Sequence, residues 1–177
     1  MRLFTAIEIP TEIRLRLEAL TARLRPAAKL AWSPPDHLHV TTKFVGEWPR
    51  PRLQEVKDAL AGVRPAGAFE ISIRGLGWFP DARQAKVFFA GIEAGPELAA
   101  LAKSTETALA SVGVPVEERE YRPHLTLARR RDAVPIEALR EMVDGIPAPD
   151  FGTFQASSFT LYLSAPGKYY KLEEYHW

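Results

Sequence analysis

Two short stretches carry the residues most able to do chemistry. His39-Val40-Thr41-Thr42 and His124-Leu125-Thr126-Leu127 share the form His, apolar, Thr, any residue, with one copy in each half of the chain. Both lie in runs rich in β-branched and apolar residues, the pattern of a strand. In a strand, side chains at i and i+2 point to one face. His39 and Thr41 therefore project together, as do His124 and Thr126, while Val40 and Leu125 turn to the opposite, packed face. If two lobes place these strands about a shared cleft, two imidazoles and two hydroxyls converge. Such a set suits in-line displacement at phosphorus. One neutral imidazole takes a proton from the attacking oxygen, and one protonated imidazole gives a proton to the leaving oxygen. Histidine is the side chain whose ordinary pKa permits both states near neutrality. Each role is typically worth about 10²–10⁴-fold in rate. The threonine hydroxyls would donate to the non-bridging oxygens and hold the group in line. A single His-apolar-Thr is commonplace in strands. Two copies among only four histidines are not.

The other two histidines lack the following threonine. His37 shares strand parity with His39 but sits where a loop ends, so an exposed ring is expected there. His176 is penultimate, in a segment expected to fray.

Basic residues flank both motifs. Lys43, four residues beyond His39, has the parity to reach a phosphate. Arg129-Arg130-Arg131 follows the second motif; simple alternation places Arg130 with His124 and Thr126, and Arg129 on the reverse face. Strand ends often bulge, so alternation alone does not choose between them. Arg122 precedes Pro123 and has the parity of His124. Trp32, Phe44, Trp48, Phe79 and Tyr121 are candidate platforms for an unpaired base, since bases stack on aromatic rings.

The elements that must position these groups follow from the pattern. Residues 3–9 are mostly apolar on both alternating sets, as in a strand covered on both faces. A helix is expected from Thr11 to before Pro26, with Ile13, Leu17, Leu20 and Leu24 at helical spacing. Residues 38–45 form the strand of the first motif, and 51–63 a helix. Strands are expected at 69–73 and 85–92. A helix opens at Pro96 and runs toward Gly113. The second motif strand covers 123–127, followed by a short helix at 135–143. A hairpin closes the chain, with strands 159–163 and 169–175 around Ala165-Pro166-Gly167-Lys168. No regular strand–helix–strand repeat appears, and Gly75-Leu76-Gly77 is followed by Trp78-Phe79-Pro80, which cannot open a phosphate-binding helix. The order favours an α+β fold with mainly antiparallel strands and helices outside.

Composition narrows the classes further. Among 177 residues, 46% are hydrophobic and 25% charged, and the 23 Lys+Arg nearly balance the 22 Asp+Glu. That apolar content at so low a net charge excludes a disordered chain. A formal net charge of +1 argues against a polybasic nucleic-acid binder, so any such contact must be a local basic lip. The absence of cysteine removes disulfides, thiolate metal sites and cysteine nucleophiles. The histidines have no zincin-like carboxylate spacing, so no metal and no cofactor are expected. No apolar run reaches the roughly 18–20 residues of a membrane span. The opening strand is broken by Glu8 and Pro10 and lacks a signal-peptide cleavage region, which points to a cytoplasmic protein without a membrane partner.

Three stretches together resemble one family. They are Met1 to Pro10, Trp32 to Gly46 and Tyr121 to Arg129. The chain is similar to the RNA 2′,3′-cyclic phosphodiesterases, historically called 2′-5′ RNA ligases, of the two-histidine phosphoesterase superfamily. The resemblance implies a single domain spanning residues 1–177, with two pseudo-symmetric lobes around a central cleft, each an antiparallel sheet with outer helices. It implies hydrolysis of RNA 3′ ends, or nucleotides, bearing a 2′,3′-cyclic phosphate to the 2′-phosphate, by a chain expected to be a monomer. Carried to the matching positions, His39 would protonate the departing 3′-oxygen and His124 would activate water. Thr41 and Thr126 would hold phosphate oxygens, and the family's basic residue falls on Arg129 rather than Arg130. Thr42 departs from the leucine that relatives often carry, on the face turned from the site. The same four side chains would equally serve a small cyclic nucleotide or a cyclic-phosphate metabolite. Binding of RNA ends without catalysis is the third reading, although binding alone needs no pair of imidazoles.

Overall fold

The computed structural model describes residues 1–177. Along the chain run β1 (Arg2–Glu8), α1 (Thr11–Leu24), β2 (Ala31–Trp32), β3 (His39–Glu47), α2 (Leu53–Ala61), β4 (Phe69–Phe79), β5 (Val87–Ala94) and α3 (Pro96–Ala110). They continue with β6 (His124–Arg129), α4 (Glu137–Asp144), β7 (Asp150–Ala156), β8 (Ser158–Ala165) and β9 (Lys168–His176). The strands form two antiparallel sheets, one ordered β3-β1-β8-β9 and the other β2-β6-β5-β4-β7. The α+β expectation holds.

Three strand segments escaped the sequence pattern. Residues 31–32 pair with β6 despite the prolines that follow. β4 continues past Ile73 to Phe79 because a register shift there absorbs the two residues before Leu76 and lets pairing with β5 resume. β7 alternates weakly in sequence, yet it pairs along β4 from Phe69↔Ala156 to Arg74↔Asp150. In each case the partner strand, rather than local pattern, fixes the conformation.

Helices and sheets share one hydrophobic cluster. It includes Leu3 and Ile7 of β1, Leu17 and Leu24 of α1, Val56 and Leu60 of α2, Phe88 and Ala90 of β5, Leu101 of α3, Leu125 of β6 and Phe159 of β8. Both motif strands contribute the residue after their histidine to this core, Val40 and Leu125, each fully buried. The core therefore fixes which way both histidines point.

The repeat is one of topology as well as sequence. β1–α1–β3 and β5–α3–β6 are each a strand, a helix and an antiparallel motif strand. The registers match: Glu8↔His39 and Ala6↔Thr41 in one unit, Gly91↔His124 and Phe89↔Thr126 in the other. Each motif strand then carries one extra residue at the fourth motif position. Thr5 pairs with Lys43 rather than Thr42, and Phe88 pairs with Ala128 rather than Leu127. This is a β-bulge, which breaks the simple alternation of faces beyond it.

Candidate active site

The bulges decide which flanking residues share a face with the histidines. Beyond Leu127, Ala128 takes the core side opposite Phe88, and Arg129 comes onto the face of His124 and Thr126. Arg130, the choice of simple alternation, turns away; its guanidinium donates through Nε to the Val134 carbonyl at 2.9 Å. Arg129 is exposed, and its charge reaches His124.

The same device overturns the expectation for Lys43. The bulge at Thr42 puts Lys43 on the core side opposite Thr5, with only 7% of its side chain exposed. Its ammonium pairs with Glu106 of α3 at 2.8 Å and donates to the Pro115 carbonyl at 3.0 Å. Those partners hold it away from the motif face. Phe44 takes the site face instead, opposite Phe4 and 66% exposed. Thr42 is buried, and its hydroxyl bonds that of Thr5 at 2.7 Å. The Arg122 side chain is well exposed, with Glu120 at 3.9 Å; its contribution to the site is its backbone carbonyl.

That carbonyl lies 2.9 Å from Nδ1 of His124. A carbonyl only accepts, so Nδ1 carries the proton and the neutral ring keeps its lone pair on Nε2, the form of a general base. The edges of Phe79 and Phe89 meet this ring, with centroids at 4.9 and 5.6 Å. Burial, seconded by the Arg129 charge and opposed by the Arg122 carbonyl, lowers the His124 pKa.

His39 is held differently. Its ring stacks on Phe4 at 5.0 Å and Tyr162 at 5.6 Å, with Tyr169 tilted at 5.5 Å. Ala6, buried between Phe4 and Glu8 on this face, leaves room for the rings. The turn at Pro35–His37 folds across the sheet so that His37 stacks on Tyr169 at 3.8 Å, where an exposed ring was expected. Burial first, and the neighbouring His37 second, lower the His39 pKa to about 4, with Glu8 opposing.

Two side chains tie the lobes at this point. Tyr121, just before the second motif, donates its hydroxyl to the Thr41 carbonyl of the first at 2.8 Å. Lys43 joins β3 to α3 and to Pro115. β3 and β6 lie against each other although they belong to different sheets. Thr41 and Thr126 are half-buried, each one strand step from its histidine on the same face. Of the proposed base platforms, Trp48 is buried, Tyr121 is spent on Thr41, and Trp32 packs on Phe88; Phe44 and Phe79 remain at the site. Sequence reasoning missed Glu8, Tyr162 and Tyr169. Glu8 did leave a signal, as the one acidic residue in a mostly apolar strand; the tyrosines left none.

A matched pair of bulged His-x-Thr strands, tied lobe to lobe, can be compared with known proteins. The family model of the 2′-5′ RNA ligase superfamily matches residues 9–168. The chain belongs to that superfamily. A curated relative from Methanothermobacter thermautotrophicus, named RNA 2′,3′-cyclic phosphodiesterase, is 30% identical over 91% of this chain and 88% of its own. One of the same name from Thermus thermophilus is 36% identical over 76% of this chain and 71% of its own. Among solved structures, TT0787 of Thermus thermophilus superposes with a TM-score of 0.82 at 28% identity, covering 99% of this chain and 97% of that one. E. coli LigT complexed with 3′-AMP superposes at 0.76 with 27% identity and the same coverage. No helix here is long and apolar enough to cross a membrane.

Proposed function

We propose that this protein hydrolyses the 2′,3′-cyclic phosphate at RNA 3′ ends to a 2′-phosphate, acting in the cytoplasm as a monomer of one bilobal domain. The observation that carries this reading is the doubled motif: the same bulged strand delivers an imidazole and a hydroxyl twice, and Tyr121 ties one copy to the other. The relatives named RNA 2′,3′-cyclic phosphodiesterase supply the substrate class.

In this reading Nε2 of His124 takes a proton from water as the water oxygen bonds to phosphorus. The bond from phosphorus to the 3′-oxygen breaks, and His39 delivers its proton to that oxygen. Thr41, Thr126 and the Arg129 guanidinium hold the non-bridging oxygens, whose charge is spread in the transition state. His39 is mostly neutral in the free protein, since its pKa is lowered to about 4 by burial and by His37. An anionic phosphodiester seated against the ring favours the protonated form, so substrate itself loads the acid. Phe44, exposed beside Phe4, offers a face for the terminal base.

Incubation with RNA ending in a 2′,3′-cyclic phosphate, in EDTA, followed by end-group analysis tests the proposal. A 2′-phosphate end is expected. A 3′-phosphate end, or intact cyclic phosphate after long incubation, overturns it.

A further inference from the structure

The two histidines face different residues across their strands. Opposite His124 is Gly91, where a Cβ would collide with the Arg74 carbonyl, so no side chain fits there. Opposite His39, at the equivalent position, is Glu8. Directly opposed side chains in an antiparallel pair lie within interaction distance. Glu8 is also anchored. The Tyr162 hydroxyl donates to its Oε1 at 2.7 Å, and the Lys171 ammonium closes on the same oxygen. The Tyr162 ring, which stacks on His39 and Phe4, thus ends on the carboxylate beside His39.

We infer that Glu8, fixed by Tyr162 and Lys171, is a positioning residue for His39: a carboxylate set opposite the half-buried ring that favours its protonated form once substrate is bound. The assignment rests on the acid role proposed for His39. It explains an asymmetry that the repeat alone does not. A ring enclosed by Phe4, Tyr162 and Tyr169 would discard its proton, because burial disfavours the charged form. An opposed carboxylate works against that loss. The base, His124, needs no such help and has none.

The charges around the ring are few. Glu8 on β1 favours the imidazolium and His37 from the Pro35–His37 turn disfavours it. Tyr162 on β8 and Tyr169 on β9 face it as neutral rings. Lys171 on β9 and Arg14 on α1 act on Glu8. Burial pushes the Glu8 carboxyl up; Lys171, Tyr162 and Arg14 more than offset this and hold it below its ordinary value.

The test reads His39 directly. The ring is titrated by NMR in the full-length protein and in Glu8→Gln and Lys171→Met, and single-turnover cleavage of cyclic-phosphate RNA is measured alongside. Glu8→Gln keeps an acceptor for Tyr162 but removes the charge. Its His39 midpoint falls, and cleavage near neutrality slows about tenfold for each unit of that fall, with KM little changed. Lys171→Met removes an anchor that also keeps Glu8 ionised, and the midpoint falls, by less than in Glu8→Gln. Glu8→Asp restores part of the wild-type value. A His39 midpoint in Glu8→Gln that coincides with wild type overturns the inference. If Glu8→Gln does not fold, an unmoved midpoint in Lys171→Met overturns it equally. Midpoints that move as expected in a protein inert on the RNA keep Glu8's hold on His39 and overturn the substrate reading instead.

Discussion

The two motif strands share a backbone and differ in everything placed around it. Both deliver His and Thr to one face and then insert a bulge. Past the bulge the first strand presents Phe44, and the second presents Arg129. Across the strand the first histidine meets Glu8, and the second meets Gly91. One half of the candidate site is aromatic around a half-buried imidazole with a carboxylate nearby; the other is cationic around an imidazole pinned to a carbonyl. In the proposed reaction the fold repeats the geometry that chemistry at phosphorus requires twice, and substitutions at a few equivalent positions give the halves different work. Removing either histidine gives the largest expected effect. His39→Ala and His124→Ala should each lose about 10²–10⁴-fold in turnover of the cyclic phosphate with unchanged circular dichroism. The double variant should fall well short of the product of the two losses, because an acid and a base serving one transition state act as a unit. Full multiplicativity would break the picture of a single site.

Much of this was legible beforehand, and the reasons differ from element to element. The motif histidines and threonines were readable because period-two geometry needs only local sequence, and Val40 and Leu125 marked the buried face. Lys43 and Arg129 were misplaced by alternation because a bulge depends on the partner strand, and nothing local to Thr42 or Leu127 announces it. β7 was invisible for the same reason, since its conformation comes from β4. The ring stack on His39 joins residues from β1, β8 and β9, which no reading of neighbours along the chain could assemble.

Lys43 sharpens the contrast between the faces. Its equivalent in the second strand is Ala128, also buried, so this position belongs to the core in both halves. Lys43→Ala should leave Glu106 with only the Glu117 amide and detach β3 from Pro115. Breaking one side of a buried ion pair costs at most about 3–5 kcal/mol, and less here because Glu106 is part-exposed and keeps the Glu117 amide. The expected result in urea denaturation is a drop in stability, while kcat of the folded fraction stays near wild type. A selective loss of kcat at full stability would return Lys43 to the catalytic face.

Acid should separate the two histidines further. The folded protein holds His39 near a pKa of about 4, because burial and His37 disfavour its charge, against an ordinary 6.5. Below 6.5 the unfolded chain takes up a proton that the folded chain refuses. Stability from this group is therefore complete above about 6.5 and is lost as the pH falls toward 4. A shift of this size corresponds to about 3 kcal/mol at the acid end of the window. Urea midpoints at neutral pH and near pH 4 should show the loss, and His39→Gln should flatten it. An equally steep acid slope in His39→Gln would assign the effect to other groups.

The smallest effects come from the positions past the bulge, and they test whether the halves divide binding between them. Arg129 offers a charge-assisted bond to a phosphate oxygen, worth about 1.5–3 kcal/mol, so Arg129→Ala should cost on the order of 10–100-fold in kcat/KM. The loss should be the same whether or not the cyclic phosphate carries a base, because the guanidinium addresses only the phosphate. Phe44→Ala removes a stacking face, worth about 1–3 kcal/mol per base. Its cost should appear in KM for nucleotide substrates and vanish for a base-free cyclic phosphate. The separation follows from geometry: Arg129 shares the face of His124 and Thr126, whereas Phe44 stands exposed beside Phe4. If both variants lose activity equally on the base-free substrate, Phe44 supports the His39 stack and not the base, and the first half of the site contributes packing alone.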